Sequence, residues 1–139
     1  MYLVDTDVVS ELRKKDKADR RVAAFFTDVS RRDVPLYLAA VTIGELRRGV
    51  ELIRHRGDKR QARALEDWLD ALLDEYSDNV LPFGASAAQA WGRLRVPHPE
   101  NALDKQIAAT ALIYDLILVT HNTKHYGSTS VRLLDPFAG

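Results

Sequence analysis

The feature that most constrains the fold is an alternation. Short apolar runs, Tyr2–Val4, Leu36–Ala40, Val80–Phe83, Leu116–Val119 and Val131–Leu134, are interleaved with longer stretches of helical periodicity. The stripes are Val22, Phe25, Phe26 and Val29; Ile43, Leu46, Val50 and Ile53; Leu65 through Tyr76; Ala87, Ala90, Trp91 and Leu94; and Ile107, Ala108, Ala111 and Leu112. They recur at i, i+3, i+4 and i+7, one face of a helix. Strands separated by helices argue for a parallel sheet between helical layers. The unbroken apolar run Leu116–Val119 fits a strand covered on both faces, and Pro82 places Val80–Phe83 at an edge or a strand end. The expected architecture is α/β, a three-layer sandwich with a central, mostly parallel sheet flanked by helices, built as a single domain over residues 1–139.

Composition narrows the function classes. The chain has no cysteine, which excludes disulfides, thiol nucleophiles and cysteine-ligated zinc. Met1 leads straight into a strand-like run without a basic or apolar leader, and no apolar run approaches the ~18 residues that span a bilayer. A cytoplasmic protein without a membrane segment is the expectation. Twenty basic and 20 acidic side chains give no net charge. Their distribution is uneven: Arg47–Arg63 holds seven bases against Glu51 and Asp58, whereas Ala64–Val80 holds six acids and no base. Two solvated helical faces would explain this, as would a basic rim that guides a polyanion.

Ligands of parallel α/β sheets sit beyond the carboxyl ends of the strands. Asp5, Glu45 and Asn122 each come just after a strand-like run, and Asp104 opens a helix. Each has an ordinary explanation alone. Thr42-x-x-Glu45 reads as a capping box, Asp104 suits the positive end of a helix dipole, Asp5 and Asp7 can cap the first helix, and Asn122 can make an Asx-turn. Together they are harder to dismiss. Asp5, Asp7, Glu45 and Asp104 at one edge would repel one another, and without a cation at least one would be driven to take a proton. Mg²⁺ or Mn²⁺ removes that penalty, and hard oxygen donors suit those ions. His121 and His125 read as surface residues of a short segment after a strand. Gly49 and the alanines of the 108–111 helix read as packing devices, with a close backbone approach expected at Gly49.

The chain resembles the PIN-domain ribonucleases of the VapC type, the toxin half of a toxin–antitoxin pair. The resemblance rests on Leu3-Val-Asp-Thr-Asp-Val-Val-Ser10, Glu45-Leu-Arg-Arg-Gly49, Asp104-Lys-Gln-Ile-Ala-Ala-Thr-Ala111, Leu118-Val-Thr-His-Asn122 and Val131-Arg-Leu-Leu-Asp-Pro-Phe137, in order along nearly the whole chain. It implies Asp5, Glu45 and Asp104 as acidic metal ligands, with Asn122 at a position that is aspartate or asparagine in the family. Asn122 brings an oxygen without charge, and Asp7, at a position more often asparagine, restores a charge nearby. Thr6 and Thr120 are implied as supporting hydroxyls, and Arg47 and Arg48 as contacts for RNA or the antitoxin. The implied activity is Mg²⁺- or Mn²⁺-dependent hydrolysis of RNA by an endoribonuclease, leaving a 5′-phosphate. The implied partners are an RNA substrate, a small cognate antitoxin and a second copy of the chain in a homodimer. Two rivals stand beside this reading. Asp5-Thr-Asp-Val-Val9 also fits the start of haloacid-dehalogenase-like phosphatases, although the late acidic pair of that family is missing after Thr120. A catalytically inactive PIN-like module that binds RNA or protein is the other.

Overall fold

The computed structural model describes residues 1–138. Five strands, β1 (Tyr2–Val4), β2 (Leu36–Ala39), β3 (Val80–Leu81), β4 (Ile117–Val119) and β5 (Leu133–Leu134), form one sheet in the order β3-β2-β1-β4-β5. Every neighbouring pair is parallel. The helices are α1 (Thr6–Glu11), α2 (Arg20–Arg31), α3 (Ala40–His55), α4 (Lys59–Glu75), α5 (Ala85–Leu94) and α6 (Ala102–Ile113). Two 3₁₀ segments, Leu12–Lys17 and Thr123–Tyr126, complete the chain. No described helix is long and apolar enough to cross a membrane.

Strand pleating divides the core in two. Val4, Leu38 and Val119 point into one cluster with Val8 and Val9 of α1, Val22 of α2, Leu46 and Val50 of α3, and Leu69 and Leu72 of α4. Their neighbours Leu3, Ala39 and Leu118 point the other way, against Ile107, Ala108 and Ala111 of α6. Alternate residues of one strand thus serve opposite layers, and the three-layer sandwich follows. The small side chains of α6 let it lie close on the sheet: Ile107, Ala108, Ala109 and Ala111 are all fully buried.

Topology then selects the place for a site. From the central β1 the chain steps outward through β2 to β3, then returns to the other flank of β1 as β4 and β5. The connections diverge at β1 and β4, which opens a crevice beyond their carboxyl ends. Val4 is in register with Val119, and the Asp5 amide bonds the Val119 carbonyl at 2.9 Å. Asp5 and Thr120, the next residue of each strand, therefore leave the sheet side by side.

Two sequence expectations are corrected. The strand Leu36–Ala40 ends at Ala39, and α3 starts directly at Ala40 with no side-chain cap. Thr42 consequently lies inside the helix and closes no capping box. Gly49 marks no close approach either, since nothing stands within 4 Å of where its Cβ would be. It lines a small groove beside Glu45 and Trp68 that a side chain would narrow.

Candidate active site

Asp5 is the centre of the site. It is the N-cap of α1, with Oδ1 accepting the Thr6 amide at 2.8 Å. Its Oδ2 accepts two hydroxyls, from Thr120 Oγ1 at 2.7 Å and Tyr126 at 2.8 Å. Only 3% of the residue is exposed. Three hydrogen bonds favour the carboxylate, yet burial and then the charge of Asp7 outweigh them, and the Asp5 carboxyl is pushed up to about 6. Asp7 is raised as well, chiefly by burial. One oxygen of Asp7 accepts the His121 amide at 3.0 Å, and the other is buried without a hydrogen-bond partner.

The remaining acids reach this point through intermediaries. Thr42 and Glu45 share a helical turn of α3, which packs against α1. The Thr6 hydroxyl donates to Glu45 Oε1 at 2.9 Å. With its one proton spent there, Thr6 takes the Thr42 hydroxyl as a donor at 3.1 Å. Asp104 stands in the first turn of α6, whose start is held by the Trp91 indole bonding the Ala102 carbonyl at 2.9 Å. The neighbouring Lys105 is fully buried and donates to the His98 carbonyl of the preceding loop. Asp104 Oδ2 lies 2.7 Å from His125 Nδ1. The Tyr126 phenol, held far above its usual range by burial first, also feels the negative charges of Asp5, Asp104 and Asp7. Asn122 is exposed, with its backbone amide on Thr120 Oγ1 at 3.1 Å and no capping bond from its side chain.

Around the ends of β1 and β4 the structure links Asp5 with Thr6 and Thr120, Thr6 with Glu45, and Asp7 with the His121 amide, whereas Asp104 is tied to His125 and the Asn122 side chain makes no capping bond. Among the described residues no three His, Asp or Glu side chains close into a ligand cage. Hydroxyls hold the carboxylates of Asp5 and Glu45 singly instead, from Thr120 and Tyr126 on Asp5 and from Thr6 on Glu45. The donors are nevertheless hard oxygens, one of them buried and unpartnered, and the cost of keeping Asp5 ionised is what a divalent cation would offset. Asp5, Asp104 and Glu45 supply oxygen donors of the kind that divalent cations take.

Arg47 and Arg48 part company. Arg47 is spent across the α3–α4 hairpin, 2.6 Å from Glu66 and 3.5 Å from Glu51. Arg48 is exposed and forms no ion pair among the described residues. The basic and acidic stretches of the sequence answer each other in part here, with Arg54–Glu66 at 3.0 Å and Arg63–Asp67 at 3.1 Å. A cleft of about 750 Å³ runs between the segment Leu12–Lys17 and α4, with an apolar floor of Ile53, Leu65 and Trp68 and a rim of Arg13, Lys14 and Lys15. Through Arg13, Leu65 and Trp68 it adjoins the groove that contains Thr6 and Glu45.

Sequence reasoning missed the contacts of Tyr126 and His125 and that of Thr42 with Thr6. Each joins residues far apart along the chain, and the sole local signal was a His-Tyr pair just after the Asn122 strand end.

Comparison with known proteins identifies the family and the fold. The PIN domain family profile matches residues 2–127. Toxin FitB of Neisseria gonorrhoeae is 32% identical over 143 residues, covering 99% of each chain. A VapC ribonuclease of Sinorhizobium fredii is 28% identical, over 99% of this chain and 98% of its own. The crystal structure of FitAcB from Neisseria gonorrhoeae superposes with a TM-score of 0.84 at 29% identity, over 99% of both chains.

Proposed function

The chain belongs to the PIN-domain family, and on that premise we propose that it is a divalent-metal-dependent endoribonuclease, the toxin of a toxin–antitoxin module. The observation that carries this reading is the uncompensated charge at the sheet edge. Asp5 is buried and Asp7 half-buried beside it, with no basic side chain bonded to either, and Asp5 is raised to about 6. A fold keeps such a cost where a ligand relieves it.

Mg²⁺ or Mn²⁺, when bound by Asp5, Asp104 and Glu45, supplies the positive charge that favours attack on a phosphodiester. The chain's own residues do the rest. Thr120 and Tyr126 fix Asp5 Oδ2, and His125 fixes Asp104 Oδ2, so both carboxylates keep one orientation. Thr6 occupies Glu45 Oε1, which leaves Oε2 to take the proton of an attacking water. The water oxygen bonds to phosphorus, the P–O3′ bond breaks, and the departing 3′ oxygen takes a proton from solvent. The products carry a 5′-phosphate and a 3′-hydroxyl.

The cleft beside Trp68 is the place for the antitoxin. Its apolar floor suits one face of a helix, its basic rim suits acidic groups, and its continuity with the Glu45 groove lets an occupant cover the carboxylates. Arg48 is free to contribute where Arg47 is not. The protein acts in the cytoplasm, as a homodimer under antitoxin control.

The test is cleavage of a 5′-labelled RNA by purified protein with Mn²⁺ or Mg²⁺. Cleavage that stops with EDTA and leaves 5′-phosphate ends is expected. Cyclic-phosphate ends, or cleavage that ignores chelation, would overturn the proposal.

A further inference from the structure

Asp5 and Asp104 belong to different layers. Asp5 ends a central strand, and Asp104 begins a helix that lies on one face of the sheet. Nothing in the strand or the helix alone sets the distance between their oxygens. The 3₁₀ turn Thr123–Tyr126 touches both: Tyr126 donates to Asp5 Oδ2 at 2.8 Å, and His125 Nδ1 lies 2.7 Å from Asp104 Oδ2.

We infer that this turn is a clip that sets the separation of the two carboxylates, with Tyr126 and His125 as positioning residues. The inference rests on the nuclease reading for its consequence, and on geometry for its content. The Tyr126 ring is anchored, at 1% exposure, in the cluster of Ile107, Ala108, Ala111, Leu118 and Val131. It is thus wedged between α6 and the sheet, the two elements whose spacing is at issue. A buried hydroxyl is costly unless paired, and this one is paired with the carboxylate at the centre of the site. A phenylalanine would fill the same space and hold nothing. The turn is itself braced, with the His125 amide on the Asn122 carbonyl at 3.0 Å and the Thr129 hydroxyl on the Tyr126 carbonyl at 2.8 Å. Because Thr120 holds the same oxygen of Asp5 as Tyr126, the turn reinforces the orientation that β4 imposes.

Two variants separate positioning from packing. Tyr126→Phe removes one oxygen and keeps the ring. His125→Ala removes the other arm at an exposed position, where folding is not at stake. Each should lower kcat by about 10–100-fold with KM within twofold, and should weaken Mn²⁺ affinity in calorimetry by about tenfold, as loss of a ligand's supporting partner does. His125→Asn, which restores a donor, should recover part of both. The inference is overturned if both variants keep wild-type kcat and Mn²⁺ affinity, or if Tm falls while those two values hold. Calorimetry keeps the two readings apart. If wild-type protein binds Mn²⁺ and does not cut RNA, the nuclease reading fails, while the variants' affinities still decide the clip.

Discussion

Two regions of this molecule use the same residue types in opposite ways. In the α3–α4 hairpin, acids and bases meet: Glu66 faces Arg47 and Arg54 across the helices, and Glu51 faces Arg54 within α3 at 2.6 Å. Arginine hydrogen bonds there hold the carboxyls of Glu51 and Glu66 below their usual range. At the sheet edge, Asp5 and Asp7 have hydroxyls and backbone amides but no cationic side chain, and both are raised. Around Glu66 the hairpin charges are compensated. Those of Asp5 and Asp7 are not, which is where the proposed cation would act. Perturbation upward by burial, in a crevice at a topological switch, is the physical mark of a site.

The largest expected effect comes from removing a carboxylate in each region. Asp5→Asn keeps the size and neutralises the charge, and should lower RNA cleavage by at least about a thousandfold, roughly 4 kcal/mol of transition-state stabilisation. Glu66→Gln should leave cleavage within about twofold, because its partners lie on the hairpin surface. Single-turnover rates on one RNA substrate compare the two directly. Equal losses would erase the contrast between the regions.

How far this contrast was visible in the sequence depends on the range of the interaction. Asp5 was legible because the end of an apolar run fixes where the next residue emerges in a parallel sheet. The three layers were legible for the same reason, since alternation and periodicity are local. Thr42 was misread because Thr-x-x-Glu satisfies a capping pattern wherever it occurs, whereas the helix began two residues earlier at Ala40. The Arg47–Glu66 pairing needs the register between two helices, which no single stretch records. Tyr126 and His125 were invisible for a stronger reason. Their partners lie 121 and 21 residues away, and a 3₁₀ turn has no periodic signature.

A second effect concerns stability and pH. A carboxyl raised in the folded state costs nothing below its unfolded value of 3.8, where both states are protonated. As pH rises from about 4 the unfolded chain ionises first, and the penalty on folding grows until Asp5 itself ionises near about 6. Above that it is constant, at roughly 3 kcal/mol for a shift of this size. In EDTA, the stability of Asp5→Asn minus that of wild type should therefore rise between pH 4 and 7 by roughly this amount. Adding Mn²⁺ at pH 7 should stabilise wild type alone and shrink the difference. Urea denaturation at several pH values measures it, and parallel curves for the two proteins would show that Asp5 carries no such cost.

The smallest effect belongs to the hairpin, and it completes the comparison. Arg54 and Glu66 form a well-made ion pair at 3.0 Å, but water competes for both groups, and each has a second partner that can take up a lost contact. Ordering two long side chains also offsets most of the Coulomb gain. Glu66→Gln should consequently shift Tm by no more than about 2 °C, and raising salt from 0.1 to 1 M should remove even that, because the Debye length falls from about 10 to about 3 Å. The buried Asp5 should respond differently. Water and ions reach it poorly, so the pH-dependent difference between wild type and Asp5→Asn should survive the same salt. If monovalent salt flattened that difference as completely as it flattens the hairpin pair, the sheet edge would be an open, solvated surface. Its charges would then need no divalent partner.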